Sequence, residues 1–315
     1  MTSALITNRP ASVVAATASV SDRPSSKPLS SRPLSSNTLS GASLASTFSS
    51  EPVRSAPCRG KVWLIGAGPG DPDLLTVRAV KTLAACTVWL VDDLVGPGVL
   101  ELAAPGTRIV RVGKRGGCKS TPQPFILRLM LRYARQGETV ARVKGGDAFI
   151  FGRGGEEWAW LAERGVQVDA VAGLTAGLAI GAQLGLPITH RQVARGVALV
   201  TAHTVEETGA GSQPYWRALA QSGLTVVCYM GMSDPTRLAR MLMASGFRAD
   251  LPVAVVQRAT CADQRHLTTT VARMAEDIAT HDMGSPAVIV LGDAVSHAMA
   301  MAQDVLADAR RVTTG

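Results

Sequence analysis

The sequence predicts an α/β fold in two successive halves, each built on a mainly parallel or mixed sheet. Three observations carry this. Strand-like apolar runs alternate with amphipathic helical stretches from Lys61 onward, the pattern of sheets covered by helices. Two glycine-dense loops each follow such a run directly: G-A-G-P-G-D from Gly66 to Asp71, and V-K-G-G-D-A-F-I-F-G-R-G-G-E-E from Val143 to Glu157. An uncharged stretch from Ala170 to Thr189, with Gly173, Gly177, Gly181 and Gly185 at every fourth position, then separates one set of elements from another. Glycine leaves backbone bare where a ligand can come close, so two such loops at strand ends point to a ligand-binding α/β enzyme.

Val62 to Ile65 reads as a strand ending in the first glycine loop, and Leu74, Leu75, Val77, Val80, Leu83 and Ala84 form a helical apolar stripe. Thr87 to Val91 is a second strand, ending in Asp92-Asp93, and Arg108 to Val112 a third, ending in Gly113-Lys114-Arg115-Gly116-Gly117. A helix from Phe125 to Arg135 stops at Gly137, Thr139 to Val143 is the fourth strand, and a helix from Glu156 to Arg164 stops at Gly165 before a fifth strand, Val166 to Val171. Ala170 to Thr189 is predicted to hold a buried helix rather than a membrane span, because Gln183 and Pro187 interrupt it and no Trp/Tyr belt flanks it. Beyond it, strands are expected at Val197 to Thr201, Thr225 to Met230, Pro252 to Val256 and Pro286 to Leu291. Helices are expected at Tyr215 to Gln221, Pro235 to Ala244 and Val271 to Ile278. The expected division is an extension over 1–57, an amino-terminal α/β domain over 58–172, a second over 173–303, and a tail over 304–315.

A chain of 315 residues with 46% hydrophobic content is long enough for two modest cores. Its net charge of +8 fits nucleic acid, acidic lipid or a polyanionic small substrate, but aromatic content of 4% argues against a stacking platform for single strands. Cys58, Cys86, Cys118, Cys228 and Cys261 are scattered without a C-x-x-C pair, and the histidines show no ligand spacing. That excludes a disulfide framework, gives no metal site, and fits a reducing, cytoplasmic setting. Residues 1–57 are dominated by Ser, Thr, Ala and Pro and are expected to be disordered. Their basic, acid-poor composition also matches an organelle transit peptide, which stays open as the alternative location.

Strand, G-x-G and the later Asp92 invite a dinucleotide reading. Asp71 stands where the third glycine belongs, however, and Pro69 removes a donor from the anion cradle. The segments instead resemble the tetrapyrrole methyltransferase family, and within it the uroporphyrinogen-III C-methyltransferases. The resemblance runs from Gly60 to Asp293 through V-W-L-I-G-A-G-P-G-D-P-D-L-L-T (Val62 to Thr76), V-G-K-R-G (Val112 to Gly116) and the second glycine loop. It continues through G-L-T-A-G (Gly173 to Gly177), G-L-P-I-T-H-R (Gly185 to Arg191), Y-M-G (Tyr229 to Gly231) and S-P-A (Ser285 to Ala287).

The resemblance implies two α/β domains with a cofactor cleft between them, a homodimer, and no nucleic-acid or membrane partner. It implies S-adenosyl-L-methionine as methyl donor, S-adenosyl-L-homocysteine as product, and no metal. The acceptor would be uroporphyrinogen III, methylated at two ring carbons to precorrin-2 for sirohaem or cobalamin synthesis. Cofactor contacts would come from Pro69, from Gly145, Gly146, Asp147 and Ile150, from Thr175 and Ala176, and from Met230 and Ala259. Asp92 matches the family's proton acceptor and Lys114 its proton donor. Arg115, Arg153, His190 and Arg191, with Lys119, Arg142 and Lys144, would face substrate carboxylates, for which arginine's fork is suited. Glu156 and Glu157 read as favourable charges at a helix start.

The chain departs from the family in V-D-D-L for Y-D-R-L, which makes Asp93 a second candidate carboxylate. It also has Ala148 and Ala172 where proline is usual, and Ala259 where glycine is usual. The polar amino-terminal segment leaves no expected room for the family's fused dehydrogenase-chelatase module. A methyltransferase of the same fold acting on another corrin precursor or RNA, and a non-catalytic nucleotide-binding protein, are the competing readings.

Overall fold

The computed structural model describes residues 59–113, 121–202 and 212–297. The amino-terminal extension, Lys114, Arg115, Lys119 and the 304–315 tail lie outside the described residues. The first half is a five-stranded sheet of β1 (Lys61–Gly66), β2 (Val88–Val91), β3 (Arg108–Arg111), β4 (Thr139–Lys144) and β5 (Gln167–Val171). The strand order is β3-β2-β4-β1-β5, and every pairing is parallel. Successive side chains of a strand point to opposite faces. Accordingly Val62, Leu64, Val88, Leu90 and Val140 pack with α3 (Gln123–Arg135) and α4 (Gly154–Ala162). Ile65, Trp89, Val91, Ala141 and Val143 pack on the other face with α1 (Val77–Ala84) and α2 (Pro97–Leu100). Burial on both faces explains why β2 reads as an unbroken apolar run, V-W-L-V.

The second half is a mixed sheet in the order β6-β7-β10-β8-β9. Its strands are β6 (Val197–Thr201), β7 (Thr225–Tyr229), β8 (Pro252–Gln257), β9 (Arg265–Thr270) and β10 (Ala287–Leu291). Only β6 and β7 are parallel; β10 runs antiparallel to both β7 and β8, and β9 antiparallel to β8. One face is covered by α6 (Ser212–Gln221), α7 (Pro235–Ala244) and α8 (Met274–Thr280), with Trp216, Leu242 and Met274 fully buried. The other face is covered by α5 (Ala176–Leu184), whose Ile180 packs against Val227, Val256 and Val290.

The uncharged stretch therefore holds the end of β5, a nine-residue helix and the loops on either side of it. No helix among the described residues is long and apolar enough to cross a membrane. The strand β9 is absent from the sequence expectation. Its residues, R-H-L-T-T-T, carry no apolar run because it is an edge strand whose side chains are exposed or half-buried. The helix expected to begin at Val271 begins at Met274, because Val271 to Arg273 form a turn whose Arg273 N–H donates to Thr270 O (3.1 Å).

Candidate functional site

The carboxyl ends of β1, β2, β4, β7 and β8 and the amino end of β10 converge on one cleft of about 640 Å³. Because β10 is antiparallel to its neighbours, its start lies beside their ends, so Ser285 to Val288 join the lining. A cleft outside the carboxyl ends of strands is where open α/β sheets bind ligands. Its size falls within the roughly 300–1,000 Å³ typical of small-molecule sites.

The floor is made by the two glycine loops, which hydrogen-bond to each other. Gly146 N–H donates to Gly68 O (2.7 Å), Gly68 N–H to Gly146 O (3.2 Å), and Ala67 N–H to Lys144 O (2.8 Å). Gly68 and Gly146 have φ of +72° and +68°, which only glycine adopts without strain. Asp147 locks the second loop: Oδ1 accepts from Phe149 N–H (2.8 Å), and Oδ2 from Gly173 N–H at the entry to α5 (3.0 Å). Asp71, the residue that spoiled the dinucleotide pattern, accepts from Asp73 N–H (2.9 Å) and caps a short 3-10 turn at Pro72–Leu74. Its own N–H donates to Thr260 Oγ1 (3.1 Å) and so joins the first loop to the second half.

The glycine strip has four separate uses. Gly173 lies against the backbone of Gly66 and Gly146, and Gly181 seats Ile188. Gly185 ends α5 in the left-handed conformation (φ +60°). Gly177 makes room for Tyr229, since a Cβ there would fall 2.5 Å from the phenol oxygen. Tyr229 Oη accepts from Gly177 N–H (2.9 Å) and shares a hydrogen bond with Thr175 Oγ1 (2.7 Å). Burial raises the Tyr229 pKa, opposed by the hydrogen bonds from Thr175 and Gly177, so the phenol stays protonated. Tyr229→Phe leaves that helix-entry N–H without its acceptor. The expected loss is about 1–3 kcal/mol of unfolding free energy, read from urea denaturation. No change in the transition would show that the bond contributes nothing.

Asp92, at the end of β2, is a carboxylate the scaffold holds at the cleft. Its Oδ2 accepts from Arg142 Nη2 (3.1 Å), its Oδ1 from Asp93 N–H (3.1 Å), and its side chain is 34% exposed. Behind it lies Glu157, fully buried, which accepts on Oε1 from Arg142 Nε (3.2 Å), Lys144 Nζ (3.4 Å) and Gln123 Nε2 (2.9 Å). Lys144 Nζ is 4.0 Å from Asp92 Oδ2. Burial, reinforced by Arg142, lowers the Lys144 pKa, while Glu157 and Asp92 pull it back up. Two sequence expectations change here. Glu157 does begin α4, but it is a buried counter-ion rather than a solvent-facing helix-start charge; Glu156 is the exposed one, paired with Arg153. Arg142 is 2% exposed and engaged by Asp92 and Glu157, so it does not face a substrate carboxylate.

All nine expected cofactor positions line the cleft: Pro69 from the first loop, Gly145, Gly146, Asp147 and Ile150 from the second, Thr175 and Ala176 at the start of α5, and Met230 and Ala259 from the second half. Asp92, Asp93 and Lys144 line it as well. Arg153, His190 and Arg191 are not among the lining residues. Arg153 is exposed next to the lining residue Gly152, and the His190 ring stacks on His297 (4.4 Å between centroids) in the segment after α5. Lys114 and Arg115 lie outside the described residues.

Other lining residues are not singled out as contacts by the sequence: Leu94, Phe151, Tyr229, Arg258 and Cys261. Phe151, Met230 and Arg258 hold positive φ (52°, 59° and 49°), and strained non-glycine backbone of this kind clusters at ligand sites. Composition carries no signal for it. Burial raises the Cys261 pKa, so its thiol is a neutral contact. Among the described residues, no group of three His, Cys, Asp or Glu is arranged to hold a metal.

Comparison with known proteins places this geometry. Residues 61–275 match the family of Tetrapyrrole (Corrin/Porphyrin) Methylases. A uroporphyrinogen-III C-methyltransferase of Pseudomonas aeruginosa is 50% identical over 234 residues, covering 74% of this chain and 94% of that protein. Siroheme synthase 2 of Aeromonas hydrophila is 41% identical over 237 residues, 75% of this chain but 49% of that longer protein. A crystal structure of uroporphyrin-III C-methyl transferase from Thermus thermophilus, complexed with S-adenyl homocysteine, superposes with a TM-score of 0.64 at 39% identity over 75% of this chain and 99% of that one. The match runs from β1 to the start of α8 and takes in every strand end of the cleft except the amino end of β10: the chain belongs to the tetrapyrrole methylase family.

Proposed function

We propose that the chain transfers methyl groups from S-adenosyl-L-methionine to two ring carbons of uroporphyrinogen III, giving precorrin-2 for sirohaem or cobalamin synthesis. The observation that carries this is the convergence of the nine expected cofactor positions and the Asp92 carboxylate on a single cleft. The lining suits an adenosyl group. Gly145, Gly146, Ala176 and Ala259 are small, and Gly145 has no room for a side chain, since a Cβ would fall 2.6 Å from Leu94 Cβ. When bound, S-adenosyl-L-methionine supplies an electrophilic methyl group. Gly145, Gly146 and Asp147 would hold it from the first half, Thr175 and Ala176 from the start of α5, and Met230 and Ala259 from the second half.

The chain's remaining task is positional and acid–base. Methylating a pyrrole carbon creates a cationic ring that must shed a proton, and a carboxylate at the cleft wall accepts it. Asp92 fits this role better than Asp93. The Asp93 carboxylate packs over Gly113, where a Cβ would overlap it, whereas Asp92 is held by Arg142 and Asp93 N–H with its outer edge open. We assign Lys114, Arg115, Arg153, His190 and Arg191 to the anionic acceptor as outer contacts, and read the chain as two α/β domains dividing near residue 172 and acting as a homodimer.

Anaerobic incubation of the full chain with both substrates is expected to yield methylated tetrapyrrole and S-adenosyl-L-homocysteine. A folded sample that methylates nothing overturns the proposal. S-adenosyl-L-homocysteine at about 100 times its Kd should stabilise the chain by about 2.7 kcal/mol, seen as a raised Tm, while NAD should leave Tm unchanged. The reverse result would return the glycine loops to a dinucleotide.

A further inference from the structure

We propose that Arg142, with Glu157 behind it, is a positioning residue for the Asp92 carboxylate. The inference rests on the reading of Asp92 as the base and extends it to residues that do not meet the acceptor. β4 lies between β2 and β1 in its sheet, so any charge on it is buried and needs a partner inside the fold. Arg142 and Lys144 are two residues apart on that strand and so share the face that meets α4. Arg142 is the only side chain among the described residues that bridges both carboxylates by hydrogen bonds: Nη2 to Asp92 Oδ2 (3.1 Å) and Nε to Glu157 Oε1 (3.2 Å). Its Nη1 rests on Leu90 O (3.4 Å), which ties the guanidinium to β2 as well.

The arrangement does two things for Asp92. It fixes the carboxylate's plane, since Oδ2 is held from below by Arg142 and Oδ1 by the N–H of Asp93, each oxygen keeping a further lone pair for the cleft. It also balances charge. Without Glu157, two buried cations, Arg142 and Lys144, would bear on one carboxylate. Glu157 instead takes Arg142 Nε and Lys144 Nζ (3.4 Å), leaving Lys144 at 4.0 Å from Asp92. Glu157 Oε2 is buried with no hydrogen-bond partner among the described residues, so this anion is retained at an energetic cost. Replacing a buried ion network by apolar side chains is often neutral or stabilising, so stability alone is a weak reason for a sheet to carry one. A carboxylate that must stay oriented at the cleft wall is a sufficient reason.

The test is a double-mutant cycle on the full chain, read by methyl transfer to uroporphyrinogen III and by calorimetric binding of S-adenosyl-L-homocysteine. Arg142→Lys keeps the buried cation but loses the fork that reaches both carboxylates. It is expected to lower kcat by about 10–100-fold, the scale of a misplacement near 1 Å, with cofactor affinity unchanged. In an Asp92→Asn background the same substitution should change kcat by less than about twofold, because the group it acts through is already gone. Glu157→Gln, which nearly preserves volume, should show the same non-additivity. Equal losses in both backgrounds, or a fall in cofactor affinity that matches the fall in kcat, would assign Arg142 to general stability and overturn the proposal. If Arg142→Lys does not fold, the cycle run with Glu157→Gln decides alone by the same criterion. Full turnover by Asp92→Asn would overturn the base assignment, and a wild-type chain that methylates only another tetrapyrrole would overturn the acceptor while leaving the cycle to be read on that acceptor.

Discussion

Asp92→Asn is expected to lower kcat by about 10²–10⁴-fold, the range removed when a positioned general base is lost. Asparagine keeps the shape, and its Oδ1 can still accept from Arg142, so folding and S-adenosyl-L-homocysteine affinity should be close to wild type. A loss confined to turnover separates this role from a structural one, because a residue that only shaped the cleft would weaken the cofactor too. Asp93→Asn is the matching control. Its carboxylate packs over Gly113 at the end of β3, so its replacement should act on local stability far more than on the chemical step. If Asp93→Asn carried the loss and Asp92→Asn were silent, the assignment of the base would pass to Asp93. The measurement is single-turnover methylation under anaerobic conditions, with binding followed separately by calorimetry.

Asp92 was legible in the sequence for a physical reason. A parallel strand buried on both faces is a continuous apolar run, as V-W-L-V is, so its carboxyl end shows as an abrupt change of composition at Asp92, and β4 ends as abruptly in two glycines. The cleft lies at those ends. The glycine loops were legible because φ values near +70° and backbone-to-backbone packing admit no other residue, and that constraint is written into composition. Arg142 and Glu157 were misplaced because their environment depends on strand order. In the sequence, a cation on a strand resembles a ligand contact; only the position of β4 inside the sheet shows that Arg142 is buried against α4. The strand β9 failed for the opposite reason, since an edge strand needs no apolar face on its exposed side. The left-handed Phe151, Met230 and Arg258 left no trace at all, because strain imposed by the surrounding structure does not alter residue type.

Gly173→Ala is the second large effect. A methyl group at this position would overlap Gly146 O and fall 2.7 Å from the carbonyl carbon of Gly66, and both neighbours are backbone, so no flexible side chain can yield. The three glycines meet where the end of β1, the second glycine loop and the entry to α5 cross, and Gly173 N–H is also the donor that holds Asp147. Relief of the overlap must move Gly146 away from Gly68, loosening the 2.7 Å and 3.2 Å pair that forms the cleft floor. Overpacking a tight site destabilises by about 1–3 kcal/mol and by more where backbone must shift, so the expected loss in chemical denaturation is about 3 kcal/mol. Because the displaced atoms belong to the proposed cofactor contacts, S-adenosyl-L-homocysteine should also bind at least about tenfold more weakly, the equivalent of 1.4 kcal/mol. Gly155→Ala tests whether glycine content or glycine position matters. Gly155 lies in the same glycine-dense run, but a Cβ there meets nothing within 4 Å and the residue is already helical. Its replacement should be neutral or stabilise by about 0.5–1 kcal/mol, as expected for Gly→Ala in a helix. Equal damage from both substitutions would mean that the run is sensitive as a whole and that the crossing of the three backbones is not what builds the floor.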